Sequence, residues 1–415
     1  MSLAETPPDG RTVLGPNRDG LTATAVISEY RTQMIRMSAL TAARLRTEVG
    51  KRLDVVKADH GDEWNVTAGS HVGTVVVPGL QLFIRPKVTN ANLFHLLGVD
   101  RVSVDVRHET YDYGQAELLP AFAAFYAHQL DAALARGVAR EYVEEEERLI
   151  AIRGRIDIAA QTRQGGLPVP VACRFDDHTE DIALNRTVRA AAVVLLRLPG
   201  VGARAQRDLV GLLDRLDGVR DLLPGDLLRD HRFTRLDQHY EVVEALARMV
   251  LASASIDEIR GGRGSSAFLI NMNKVFERFV EARLARALSG RLTVVGQERH
   301  RLGAGHTVHF RPDLVFRRAG RIAYVGDAKY KLTKTGGGEE ADYYQLLAYA
   351  TALDVPEGVL VYARDSAAAT TTELTVHHSS KHLRTWPVSL DGAPDEIDAQ
   401  LDQLGDHIVS WSTPA

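Results

Sequence analysis

The sequence predicts a multidomain α+β chain, with a small β-rich domain over 21–90, a mostly helical middle region over 91–260 and an α/β domain over 261–415, after a disordered tail at 1–20. Three observations predict it. A chain of 415 residues is too long for one ordinary core. Its apolar pattern changes along the length, from short runs broken by Gly and Pro to helical spacings and then to a mixture. The segment GGRGSS (261–266) is the strongest boundary signal in the second half.

The elements follow in order. MSLAETPPDGRTVLGPNRDG (1–20) is rich in Pro, Gly and Asp and lacks the basic-then-apolar order of a secretory signal. TVVVPGLQLFIRPKV (74–88) holds two apolar runs with Pro78-Gly79 as the turn between them. AELLPAFAAFYAHQLDAALARGVA (116–139) spaces its apolar residues by three and four and reads as a helix. RLIAIRGRIDIAAQ (148–161) reads as strand-turn-strand around Gly154, and 184–198, 203–217 and 237–253 as helices. Beyond the boundary the expectation is a helix at 267–288, a strand at 292–299, a hairpin across 306–330, a helix at 342–353 and a strand at 358–364.

Composition sets limits on function. Hydrophobic residues make up 45% and charged residues 25%, the balance of a soluble globular protein. No apolar run approaches the ~18 residues of a membrane span. A single cysteine, Cys173, excludes an intramolecular disulfide framework and any multi-cysteine zinc site, which points to the cytoplasm. The net charge of −4 is not that of a nucleic-acid binder, so any DNA-acting surface must be local or shared with a partner.

The informative stretch is HTVHFRPDLVFRRAGRIAYVGDAKYK (306–331). Two β-rich runs flank Ala319-Gly320-Arg321, and a hairpin symmetric about Gly320 pairs residues whose numbers sum to 640, setting Asp313 opposite Asp327. Cross-strand neighbours have Cβ atoms ~5 Å apart, so both carboxylates would share one small space. Opposed like charges destabilise a sheet unless something neutralises them. A divalent cation does so, and Mg²⁺ favours one or two carboxylates completed by water and phosphate oxygens. Period-two alternation puts Lys329 on the face of Asp327, where it could orient or help deprotonate a water and stabilise charge on phosphorus. The bland alternative is a surface hairpin with ordinary charges, which leaves the Asp and Lys in IAYVGDAKY unexplained.

Pro312-Asp313 followed by Asp327-Ala328-Lys329 resembles the PD-(D/E)xK nuclease superfamily. Gln345 and Tyr349, four apart on one helix face, fit the Q-x-x-x-Y element of its RecB-like members. Glu277, in VFERFV, stands where many relatives place an acid near the metal. A narrower resemblance, to the McrC family of McrBC modification-dependent restriction systems, rests on LQLFIRPKV (80–88), IRGRIDIAAQ (152–161), FDDHTEDIALNRTVRAA (175–191), MNKVFERFV (272–280), RPDLVF and GDAKYK. The resemblance implies a C-terminal PD-(D/E)xK nuclease domain acting on DNA with Mg²⁺. Asp313, Asp327 and Glu277 would serve as metal ligands, and Asp313, Asp327, Lys329, Gln345 and Tyr349 as the catalytic set. It also implies a separate AAA+ GTPase, McrB, on which the β-rich N-terminal region would dock and whose GTPase it would stimulate. No G-x-x-x-x-G-K-[ST] occurs, so the motor is expected on another chain. Two other classes stay open: a regulatory subunit that activates an NTPase without cutting, and a stand-alone RecB-like repair nuclease.

Other signals are weaker. Leu198-Pro199-Gly200-Val201-Gly202 resembles a helix-hairpin-helix loop, but a tight helix connection uses the same residues. His377, His378 and His382 lack partners at metal-ligand spacing. Glu144 to Glu147 read as a solvated helix end or turn, with contact to a basic partner as the alternative.

Overall fold

The computed structural model describes residues 23–59, 61–97, 118–163, 169–223, 225–228, 231–253, 266–303, 308–333, 339–364 and 371–412. The tail at 1–20 and residues 261–265 of the boundary segment lie outside them. The chain forms two compact units, Met1–Ala116 with Leu269–Ala415, and Glu117–Phe268. The architecture is mixed α and β, and the segments read as an N-terminal and a C-terminal domain share the first unit. Among the described residues no helix is long and apolar enough to cross a membrane.

The first unit opens with β1 (Ala23–Ser28), β2 (Thr32–Arg36), α1 (Ala39–Val49), β3 (Leu53–Lys57), β4 (Glu63–Ala68), β5 (His71–Val77), β6 (Leu80–Arg85) and α2 (Asn90–Leu96). Pro78-Gly79 is the two-residue turn joining β5 to β6, as the sequence predicts. Strand β6 also pairs with β1 in parallel, while β2, β4 and β3 form a separate antiparallel sheet. Helix α1 begins where Ser38 Oγ accepts the Thr41 N–H and ends at Gly50.

The second unit holds α3 (Leu118–Leu134), β7 (Glu141–Leu149), β8 (Arg155–Ile156), α4 (Ile158–Arg163), β9 (Val171–Thr179), α5 (Ala183–Arg197), α6 (Ala203–Asp214) and α7 (Glu241–Ser253). The expectation for Glu144 to Glu147 is overturned: they lie in strand β7, paired antiparallel with β9. Their charge is answered across the strands, where Arg174 reaches Glu144 at 3.5 Å and Glu146 at 2.5 Å. Strand-turn-strand at 148–161 is half right, because Ile158–Arg163 is helical after Asp157 Oδ1 accepts the Ala160 N–H. Leu198 to Gly202 is the tight connection from α5 to α6, with Leu198 and Val201 buried.

The chain then returns through β10 (Ser266–Asn271) and α8 (Met272–Ala287) to the rest of the first unit. The expected helix at 267–288 therefore starts later. Ala267 to Ile270 are buried on both faces, so AFLIN is a core strand, and Asn271 stops it by accepting the N–H groups of Asn273 and Lys274 with its side chain. Next come β11 (Thr293–Val295), β12 (His300–Arg301), β13 (His309–Phe310), β14 (Leu314–Arg318), β15 (Arg321–Thr333), α9 (Glu340–Ala352), β16 (Glu357–Arg364), β17 (Thr372–Thr375), β18 (His382–Ser389) and α10 (Pro394–Trp411). Six of these strands form one sheet in the order β11-β14-β15-β16-β18-β17. The strand expected at 292–299 is only three residues long, because Glu281 takes the Gly296 N–H and Gln297 turns to φ +53. Helix α9 joins β15 to the parallel β16, and its Leu346, Tyr349 and Ala350 pack with Val325, Leu360, Tyr362 and Leu383.

Gly154 has φ +69, and a Cβ there would lie 2.4 Å from the Arg174 carbonyl oxygen. Gly154→Ala is expected to destabilise the second unit by about 1–3 kcal/mol. Urea unfolding checks this, and an unchanged midpoint would contradict it.

Candidate active site

The site is built on the β14–β15 hairpin. Ala319 (φ +48) and Gly320 (φ +82) are both left-handed, which makes the loop a primed two-residue turn matched to strand twist. Near the turn the pairs are Arg318 with Arg321 and Arg317 with Ile322; a bulge then shifts the register, and Phe316 faces Tyr324, Val315 faces Val325 and Leu314 faces Gly326. The last three pairs all sum to 640, and the same register extended by one step sets Asp313 against Asp327.

Both carboxylates are withdrawn from water, Asp327 at 1% and Asp313 at 8% exposure. Asp313 is held at both oxygens: Oδ2 accepts the Ala328 N–H at 3.0 Å, and Oδ1 accepts Gln297 Nε2 at 2.5 Å. Lys329 Nζ lies 2.6 Å from Asp327 Oδ2. That contact is an ion pair without hydrogen-bond alignment, so Asp327 Oδ2 is buried with no hydrogen-bond partner. Burial, and then the charge of Asp313, push the Asp327 carboxyl up to about 7 against the pull of Lys329. Burial also lifts Asp313, with the charge of Glu277 adding to it. Burial opposes the charge of Lys329, but Asp327 and Asp313 outweigh it and hold the amine above its ordinary range.

Helix α9 closes the same face. Val325 packs beneath it, and alternation brings Asp327 and Lys329 to that side. Gln345 Nε2 donates to Tyr349 Oη at 2.5 Å, and the Tyr349 ring stacks on Phe310 at 5.0 Å. Burial raises the Tyr349 hydroxyl, which also feels the charges of Asp327, Lys329 and Asp313. Glu277, on α8, is half-buried; burial raises it first and the Asp327 charge second. The structure thus brings Asp313, Asp327 and Lys329 together, with Gln345 and Tyr349 bonded to each other alongside. Glu277 is within electrostatic reach, yet the three acids form no compact ligand group; among the described residues that distinction belongs to Glu141, His231 and Asp237.

Sequence reasoning missed three supports. Gln297 reaches Asp313 from the end of β11, and its backbone N–H donates to the Pro312 carbonyl. Asp342, buried on α9, accepts from Lys331 at 3.3 Å and from Tyr362 Oη at 2.8 Å. Glu29, fully buried, accepts the Tyr330 hydroxyl at 2.9 Å and the Lys87 N–H at 2.6 Å, while Tyr30 Oη donates to the Tyr330 carbonyl at 2.8 Å. Burial raises Glu29 above the usual carboxylate range, against those two donors. The residue after Asp-x-Lys is therefore fastened from about 300 positions upstream.

An Asp327 carboxyl raised toward 7 stabilises the fold while it is protonated, below the unfolded value near 4, and that contribution is lost as pH rises through about 7. Asp327→Asn replaces the charge by an amide that can donate to Asp313. In metal-free protein it is expected to raise Tm by roughly 2 °C or more at pH 8.5 and to change little at pH 5. Thermal melts at both pH values check this; equal shifts would mean that the carboxylates do not repel.

Residues 66–363 match the family of McrBC 5-methylcytosine restriction system components. Among solved structures, a chain in a refined half-complex from a tetradecameric assembly of Thermococcus gammatolerans McrB AAA+ hexamers with bound McrC has a TM-score of 0.55 at 20% identity, covering 93% of this chain and 100% of that one. At that identity the likeness is one of fold. A chain in the cryo-EM structure of the Thermococcus gammatolerans McrBC complex has a TM-score of 0.42 at 24% identity, covering 64% and 88% respectively. No curated protein matches the chain. The match over 66–363 takes in most of the described core and the whole hairpin site, and the chain belongs to the McrBC 5-methylcytosine restriction system component family.

Proposed function

We propose that this chain is the Mg²⁺-dependent endonuclease subunit of a modification-dependent restriction system, of PD-(D/E)xK type, hydrolysing DNA phosphodiesters with a separate AAA+ GTPase as its motor. The observation that carries this reading is the buried pair of Asp313 and Asp327, with Lys329 2.6 Å from the second carboxylate. Two acids this deeply buried are a poor way to build a hairpin and a good way to hold a divalent cation.

The donor set fits Mg²⁺. Asp327 Oδ2 is a buried oxygen without a hydrogen-bond partner, and Asp313 is fixed by Gln297 and Ala328 with lone pairs to spare. Asp313 and Asp327 would hold the ion, with Glu277, whose carboxyl senses the charge of Asp327, as the further acid beside it. The ion supplies Lewis-acid polarisation of the phosphodiester and of the attacking water. Lys329, a cation at neutral pH beside Asp327, stabilises negative charge that builds on the phosphoryl oxygens. Gln345 and Tyr349 border the same space and orient substrate backbone or water. The family, and the likeness to a chain from a complex of McrB AAA+ hexamers with bound McrC, support a motor on another polypeptide, and the single cysteine suits a cytoplasmic setting.

The first test mixes the chain with the AAA+ protein encoded beside it, Mg²⁺, GTP and methylated or unmethylated plasmid. Cleavage of the methylated plasmid is expected to need the partner and to fall at least 10³-fold in Asp327→Ala. If the chain raises GTP hydrolysis and never cuts, it is an activating subunit and the nuclease reading fails. Protons compete for the same oxygens, so Mg²⁺ affinity is expected to weaken as pH falls below about 7, approaching tenfold per unit. Calorimetric Mg²⁺ titrations at pH 6 and 8 measure this directly; affinity independent of pH would remove the carboxylate pair as the binding site.

A further inference from the structure

The second unit contains a further group of ligand side chains, distant in sequence from the nuclease constellation: Glu141 on β7, and His231 and Asp237 in the segment leading to α7. One ligand atom from each lies within 4.8 Å of the others. The arrangement around the imidazole is asymmetric. His231 Nε2 lies 2.5 Å from Asp237 Oδ2, a full hydrogen bond. His231 Nδ1 lies 3.6 Å from Glu141 Oε1, too far for one.

That asymmetry is what a metal-binding histidine needs. A carboxylate bonded to one ring nitrogen fixes the tautomer and leaves the other nitrogen's lone pair for an ion. The orienting carboxylate is itself anchored, since Asp237 Oδ1 accepts the Thr234 N–H at 2.5 Å and the Thr234 hydroxyl at 2.7 Å. A nitrogen and an oxygen each ~2.0–2.1 Å from a tetrahedral Zn²⁺ stand roughly 3.4 Å apart, close to the observed gap between His231 Nδ1 and Glu141 Oε1. Both residues also line a cavity of about 530 Å³, which leaves room for the waters or further ligand that would complete the shell.

We propose that Glu141 and His231, with Asp237 behind the imidazole, form a Zn²⁺-type divalent-cation site that ties the segment before α7 to strand β7. Its ligands are borderline nitrogen and carboxylate oxygen, which favour Zn²⁺ over Mg²⁺. The site differs in ion preference from the pair at Asp313 and Asp327.

The test titrates the full chain with ZnCl₂ by calorimetry, in an Asp327→Asn background that weakens metal binding at the nuclease site, and counts bound metal after gel filtration. One equivalent is expected. His231→Gln should abolish it, Glu141→Gln should weaken it at least tenfold, and Asp237→Asn should weaken it 10–100-fold through the imidazole alone. Glu141 is half exposed on its strand, so Glu141→Gln reads the site even if His231→Gln unfolds. No saturable Zn²⁺ binding, or binding equal in all four proteins, would overturn the proposal and leave His231 as a hydrogen-bonded side chain between two acids.

Discussion

Two carboxylates buried side by side set the terms for everything around them. In a low dielectric their repulsion and lost hydration far exceed what a hairpin returns in local pairing. The surroundings answer each part of that cost separately. Lys329 answers the charge of Asp327; the Ala328 N–H and Gln297 answer the two oxygens of Asp313. Asp327 Oδ2 is left without a hydrogen bond, and its carboxyl is lifted toward neutrality. A fold that tolerates such a group must be stiff, since relaxation would simply hydrate it. The stiffness comes from α9 packed on one face and from Tyr330 fastened on the other by Glu29 and Tyr30.

That fastening explains why the first unit is discontinuous in sequence. Glu29 and Tyr30 form the turn after β1, and Lys87 follows β6; together they grip the strand that carries Asp327 and Lys329. Asn92 on α2 donates to the Leu390 carbonyl at 2.6 Å, and His95 meets Asp398 of α10 at 3.1 Å. The opening segment of the chain therefore acts as a buttress for the site. Removing it would leave buried acceptors near residue 390 unsatisfied, which costs more than the lost hydrogen bonds themselves.

What was legible in the sequence follows from how far apart the interacting residues lie. Asp313, Asp327 and Lys329 sit within one hairpin, where period two and a turn at Ala319-Gly320 fix their neighbourhood, and a bulge near the turn shifts the pairing by one residue into the register that opposes the two acids. Gln345 and Tyr349 share a helix face by the same local logic. Gln297, Glu29 and Asp342 carry no such signal, because each owes its role to a partner brought in by the fold. AFLIN was misread as helix because a short run buried on both faces has no period to read, and Glu144 to Glu147 as helix end or turn because their strand is stabilised by Arg174 from β9. Seen beforehand, the Arg in VACRFDDHT would not have identified its partner.

The electrostatics also divide the roles at the proposed nuclease centre. Lys329 is more basic than an ordinary lysine, because the two acids that would bind the ion hold its proton in place. A group so strongly protonated is a poor general base near neutral pH, and it serves as a fixed positive charge instead. Proton acceptance from water then falls to a group with lower affinity for protons that is not needed to hold the ion, and the half-buried, raised carboxyl of Glu277 meets that condition. A cation held by Asp313 and Asp327 would lower their carboxyls and release the proton they share, so cation binding would be coupled to proton release. With those charges answered, Lys329 would lose part of its electrostatic hold, and its positive charge would be left for a phosphate.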